Sequence, residues 1–186
     1  MKDTDKTGKL QDQIERSLLN ERKIFLWGTV NEKTAKHLIE RMLYLDSTGD
    51  EEIQFFISSP GGYVTSGFAI YDTMLGLNSP VSTICTGLAA SMGSILLSAG
   101  AKGRRFIQPH AKVMIHQPSG GAQGQASNIE IQAAEILKIK ELSARILAEN
   151  CNQDYDRVVK DFNRDYWMDA SESVDYGIVD QILKKQ

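Results

Sequence analysis

The chain has 186 residues, 41% of them apolar and 24% charged, with a formal net charge of −3. That is enough sequence for one substantial core, and so slight an acidity gives no reason to expect a nucleic acid or an anionic membrane as partner. The two cysteines, Cys85 and Cys151, build no disulfide framework, no apolar run approaches the roughly 20 residues a bilayer span needs, and the polar opening Met1–Lys6 has the pattern of neither a secretory signal nor a transit peptide, so the chain reads as cytoplasmic.

Residues 1 to about 8 are polar and expected to be mobile. Leu10, Ile14 and Leu18 recur every four residues, as on a short amphipathic helix over about 10–20. Lys23–Gly28 reads as a first strand. Asn31 can cap the helix that follows, whose apolar face is Ala35, Leu38, Ile39, Met42 and Leu43. Ile53–Ile57 is a second strand, running into Ser58–Gly62. A third helix starts near Thr65, with Phe68, Tyr71, Met74 and Leu75 facing inward. Val81–Thr86 is an apolar, β-branched run that predicts a buried strand, with Cys85 as a small core residue. A short strand over 104–107 and another over 112–115 then lead to His116. Strands alternating with helices of this length predict an α/β domain.

After His116 the texture changes. Gln117–Gln125 is rich in glycine and has no core pattern. The helix that follows carries Ile129, Ala133, Ile136, Leu137, Lys140 and Leu147 at helical spacing. Its roughly 22 residues, about 33 Å, exceed what a compact domain of this size needs, so it is expected to project. The end of the chain holds a capped helix near 154–162, the segment 163–168, a helix over 171–176 stopped by Gly177, and a closing strand over 178–183.

One stretch organises these elements: Gly87–Leu88–Ala89–Ala90–Ser91–Met92–Gly93–Ser94. A serine at a strand-to-helix turn, flanked by small residues, has the logic of a nucleophile elbow, with Ala89 where the commoner pattern has glycine. Small residues that merely let a helix pack closely would look the same. Serine hydrolysis also needs a base, an acid to hold that base in the right tautomer, and donors for the oxyanion. Of the three histidines, His37 falls on a charged helix and His110 in a turn after Pro109. His116 ends a strand at the mouth of a glycine-rich loop, where α/β sheets place working residues. Asp161, Asp165 and Asp169 compete for the third role. Asp161 reads as outer helix face and Asp169 as a cap. Asp165 sits among Phe162, Tyr166, Trp167 and Met168, which would desolvate it, with an ion pair to Arg164 as the alternative. Pro60–Gly61–Gly62 is the best source of one oxyanion N–H, and Met92 of the second. The order Ser91, His116, Asp165 differs from that of α/β-hydrolases, chymotrypsin and subtilisin, which points to another fold.

Five segments together resemble the proteolytic subunits of the Clp protease family: Ile57–Gly62, Gly87–Ser94, Val113–Pro118, Gly124–Ile131 and Asn163–Glu172. The similarity runs from about Ile14 to Leu183. It implies a crotonase-like α/β domain of repeated ββα units, with Ser91, His116 and Asp165 as the triad and Gly62 and Met92 as oxyanion donors. It implies a single domain with a head over 21–115 and 150–186, and a handle over 116–149. The strand part of that handle would pair with the peptide, with Gly61, Gln117, Pro118, Ser119 and Gly120 beside the substrate. By the same resemblance the subunits form two stacked heptameric rings, and a hexameric AAA+ ATPase unfolds proteins and feeds them in. ATP then belongs to the partner, since this chain has no phosphate-binding loop; neither cofactor nor metal is implied.

Two departures stand out. Met1–Lys9 is strongly polar where relatives carry an apolar-and-charged hairpin that gates the axial pore. The outer pocket for the ATPase falls at Gln54, Phe56 and Gly76, where many relatives have aromatic residues. This suggests weak docking, or a mixed assembly with a second paralogue. The competing readings are a structural ring subunit without catalysis, and acyl-CoA chemistry on the same fold.

Overall fold

Short apolar runs punctuated by glycine, with amphipathic stretches between them, fold as strands covered by helices. The computed structural model describes residues 3–121 and 123–183, with side chains from residue 9 onward. In chain order the elements are α1 (Asp3–Asn20), β1 (Lys23–Trp27), α2 (Glu32–Thr48), β2 (Ile53–Ser59), α3 (Val64–Gly76), β3 (Val81–Ala90), α4 (Met92–Ser98), β4 (Arg105–Ile107), β5 (Lys112–Ile115), α5 (Ala126–Cys151), α6 (Tyr155–Asp161), β6 (Tyr166–Met168), α7 (Ala170–Tyr176) and β7 (Gln181–Ile182). Strands β1, β2, β3, β4 and β7 lie side by side in that order and are parallel throughout. The expected α/β class is what forms.

Strand β3 is the branch point. Its residues Thr83–Cys85 pair with β4, while Leu88–Ala90 pair with β5 on the same edge. The strand bends at Gly87 (φ +83°), and its register against β2 shifts between Ile57 and Ser59. The bend carries the last residues before Ser91 alongside the strand that ends before His116. β3 therefore runs on to Ala90, past the Thr86 limit expected from composition, because small residues there pair as readily as the β-branched ones before them.

The core lies between this sheet and helices α2, α3, α4 and the end of α5. Phe55, Ile57, Leu96, Leu97 and Ile107 are wholly buried, each such side chain contributing about 1.5–3 kcal/mol relative to exposure. Caps fix the helix starts. Asn31 Oδ1 accepts from the Thr34 N–H while Thr34 Oγ1 accepts from the Asn31 N–H, and Asp169 and Glu172 repeat the arrangement at α7. Gly177 ends α7 at φ +82°, as expected.

Several expectations are corrected. Helix α1 already runs from Asp3, so residues 3–8 are helical rather than irregular, while residues 1 and 2 lie outside the described set. Its stripe is only partly covered, with Leu10 and Ile14 exposed. Leu43 and Leu75, assigned to inward faces, are also exposed; each lies one residue past a buried methionine, at the edge of its helix's apolar arc. Helix α5 has 26 residues rather than about 22, and its buried positions are confined to Ser143–Cys151, so the rest does project. The described part of 117–125 forms no strand, since a strand needs a neighbour to pair with. At the C-terminal end, Ile178 and Val179 fill the core from a turn, which leaves only Gln181–Ile182 as β7.

Candidate active site

The strand register brings the site together. Ala90 of β3 pairs with Met114 of β5, so Ser91 and His116 leave the sheet at the same end. Antiparallel β6 pairs Tyr166 with Ile115, which sets the preceding Asp165 across from the following His116. Residues far apart in sequence thus meet through two short strand pairings.

Ser91 occupies the turn with φ +54° and ψ −123°, a region that non-glycine residues seldom enter. Its N–H donates to the Met114 carbonyl at 2.9 Å, and its carbonyl accepts from Ser94 N and Ser94 Oγ, at 2.9 and 2.6 Å. The elbow is held from both sides. Glycine is required opposite it: a Cβ on Gly61, itself at φ +92°, would lie 2.7 Å from Ser91 Cβ and 2.9 Å from Met92 N.

His116 Nε2 lies 2.9 Å from Ser91 Oγ, and His116 Nδ1 lies 3.1 Å from Asp165 Oδ1. An ionised carboxylate only accepts, so Nδ1 carries the proton, Nε2 is the acceptor and the serine hydroxyl donates. The arrangement can pass a proton from hydroxyl to imidazole while the carboxylate steadies the resulting charge. Asp165 differs from expectation in its surroundings: its side chain is 62% exposed and Trp167 faces solvent, so the aromatic neighbours do not desolvate it in the single chain. No ion pair to Arg164 occurs among the described residues. Asp161, expected on an outer face, is half-buried and paired with Arg157.

Gly62 and Met92 flank this turn. Among the described residues neither N–H has a protein acceptor, so both remain free for an oxyanion. Gly62 is pressed against the β1–α2 loop, where a Cβ would fall within about 2 Å of the Val30 carbonyl oxygen. Val30 N donates to Gly61 O at 2.8 Å and Tyr63 N to Val30 O at 2.9 Å, fixing the peptide that carries the Gly62 N–H.

The other predicted positions lie as follows. Gln117, Pro118, Ser119 and Gly120 follow His116, and Gly120 sits close over Ile136 of α5. Gln117, however, is tied to the Asp165 segment, its N–H donating to Phe162 O at 2.6 Å and its side-chain amide to Asn163 O at 2.9 Å. Gln54 and Phe56 lie on the half-buried face of β2, with Phe56 stacked on Phe25 at 5.1 Å. Gly76 ends α3 with open space around it. These three do not touch the Ser91 site.

Sequence reasoning missed Ser59. Its buried hydroxyl accepts from the Gly61 N–H at 3.0 Å and so sets the turn beneath Ser91; a serine two residues before a glycine, as in an ST-turn, was the available signal. Among the described residues no His, Cys, Asp and Glu side chains cluster in a way that would hold a metal ion, and no helix is long and apolar enough to cross a membrane.

A serine hydroxyl on a strained turn, an imidazole within hydrogen-bond distance of it and free backbone donors thus lie together on a crotonase-like α/β domain. A family description, Clp protease, matches residues 6–186. The chain belongs to the Clp protease family and is a Clp-type serine peptidase.

Proposed function

We propose that Ser91 is the nucleophile, His116 the general base and acid, and Asp165 the group that orients the imidazole, in an endopeptidase that cuts unfolded polypeptides to short peptides. The observation that carries this reading is the continuous relay from Ser91 Oγ through both nitrogens of His116 to Asp165. His116 Nε2 takes the hydroxyl proton as Ser91 Oγ attacks the peptide carbonyl. The Gly62 and Met92 N–H groups hold the oxyanion, His116 protonates the leaving amine, and water then hydrolyses the acyl-enzyme. The substrate runs past Gly61 and pairs with the Gln117–Gly120 segment, which belongs to no strand among the described residues.

The assembly is part of the proposal. The head over 21–115 and 150–186 closes a chamber, and the handle over 116–149 joins two heptameric rings. The exposed Ile131 and Leu137 on α5 support such a use of the handle. A hexameric AAA+ ATPase supplies unfolded chains and consumes the ATP, docking around Gln54, Phe56 and Gly76, either on a pure ring or on one shared with a second paralogue, in the cytoplasm. The chemistry proposed for this chain uses no cofactor.

Cleavage of a short fluorogenic peptide by the purified chain, with Ser91→Ala as control and the mass in solution measured alongside, tests both parts. Activity from a particle of about fourteen subunits, abolished in the variant, supports the reading. Activity that persists in Ser91→Ala overturns the assignment of the nucleophile.

A further inference from the structure

A cavity of about 510 Å³ opens beside the proposed oxyanion glycine, lined by Asn31, Glu32, Lys33, Tyr63, Thr65 and Ser66. Its walls are the first turns of α2 and α3, and Tyr63 directly follows Gly62. The two helix ends are not alike. That of α2 is closed by the Asn31–Thr34 capping box, whereas α3 begins at Tyr63 with no side-chain cap and no acidic residue in its first turn. Thr65 and Ser66 of that first turn line the cavity, and among the described residues their N–H groups have no backbone acceptor. A second observation points the same way. Ser66 is only 7% exposed and lines the cavity, yet its hydroxyl has no hydrogen-bond partner among the described residues. Lys33, on α2, also lines the cavity and is in no ion pair among those residues. The Ser66 hydroxyl still meets solvent, so it and the first-turn N–H groups are donors without protein acceptors that an incoming acceptor can engage in place of water.

We propose that this cavity is a substrate subsite that selects an acidic side chain of the peptide, within a few residues of the bond cut at Ser91. The carboxylate accepts from Ser66 Oγ and from the open N-terminus of α3, and Lys33 supplies the opposing charge. Glu32 stands on the same wall as Lys33 and works against the acid, so the two side chains set the strength of the preference between them. The placement next to Gly62 rests on the reading of Ser91 as a peptidase nucleophile; the cavity's affinity for a carboxylate does not.

The test uses blocked, fluorophore-labelled peptides in which Gln is replaced by Glu at one position at a time. Their affinity for the full-length Ser91→Ala protein is read by anisotropy, and their cleavage by the unaltered protein by kcat/KM. At one position Glu should be preferred over Gln by about fivefold, the size expected of a helix end and one exposed charge. Lys33→Gln and Ser66→Ala should each lower that ratio and Glu32→Gln should raise it. Equal binding of Glu and Gln peptides at every position, or a ratio untouched by all three substitutions, overturns the subsite, even if cleavage itself proceeds. Acid-selective binding without cleavage leaves the subsite standing and counts against the peptidase reading instead.

Discussion

Gly61 and Ser91 are so close that a single added methyl group cannot be fitted between them: a Cβ on Gly61 would stand 2.7 Å from that of Ser91 and 2.8 Å from the Ala90 carbonyl oxygen. Substitution Gly61→Ala must therefore push the elbow away from His116 or strain a backbone already at φ +92°. Stability should fall by about 1–3 kcal/mol. Peptidase activity should fall further, on the order of 10²-fold or more, because a displacement of about 1 Å is enough to misplace a nucleophile. Thermal unfolding and kcat measured together separate the two effects.

Asp165 holds His116 Nδ1–H at 3.1 Å from a largely exposed position. Asp165→Asn keeps the shape but lets the amide present a donor to Nδ1, favouring the tautomer that cannot accept from Ser91. In a fully buried triad this costs about 10⁴ in kcat; here solvent can compete for the same nitrogen, so a loss of about 10²–10³ is expected in the isolated subunit. A peptide assay on folded variant protein checks it. An unchanged kcat would remove Asp165 from the relay.

Arg105 and Asp180 make a pair at the sheet end opposite to the site. Arg105 is 4% exposed, and its N–H and Nε donate to Asp180 Oδ2 at 2.9 and 3.0 Å. Burial alone would raise the Asp180 carboxyl, but the hydrogen bonds and charge of Arg105 outweigh it and hold the carboxyl below its ordinary range. A depressed folded-state value stabilises above the ordinary carboxylate pKa of about 3.9, and the gain is lost as pH falls through the folded value. Asp180→Asn should cost about 2 kcal/mol at neutral pH, less than a fully buried broken pair, and should flatten the stability curve below about pH 4. Urea unfolding at pH 7 and pH 3 measures both.

Both thiols lie in the core, and burial pushes Cys85 and Cys151 up to about 12. Little thiolate is present at neutral pH, so a thiol-reactive dye should leave the native chain untouched. Both should react at the rate of unfolding when denaturant is added. Rapid labelling of either cysteine in the native protein would contradict the burial described.

The α/β class was legible, and Ser91, His116 and Gly62 stood out as candidates, because each rests on local pattern: alternating periodicities, small residues at a turn, a glycine pair after a strand. Asp165 was harder, since three aspartates share its stretch and only the antiparallel pairing of Ile115 with Tyr166 separates them. The bend at Gly87 was not visible in composition, because it depends on two different strands pairing with one edge of β3. Leu75 and Leu137, both exposed, were read as ordinary apolar positions. Periodicity marks an apolar face without saying whether this chain or another covers it.

The most direct test of the central claim is labelling of the native chain with a fluorophosphonate, followed by peptide mass mapping. The account predicts a single adduct on Ser91, lost in His116→Ala because the hydroxyl is then unactivated. An adduct on another serine, or none from a chain that cleaves peptides, would contradict it.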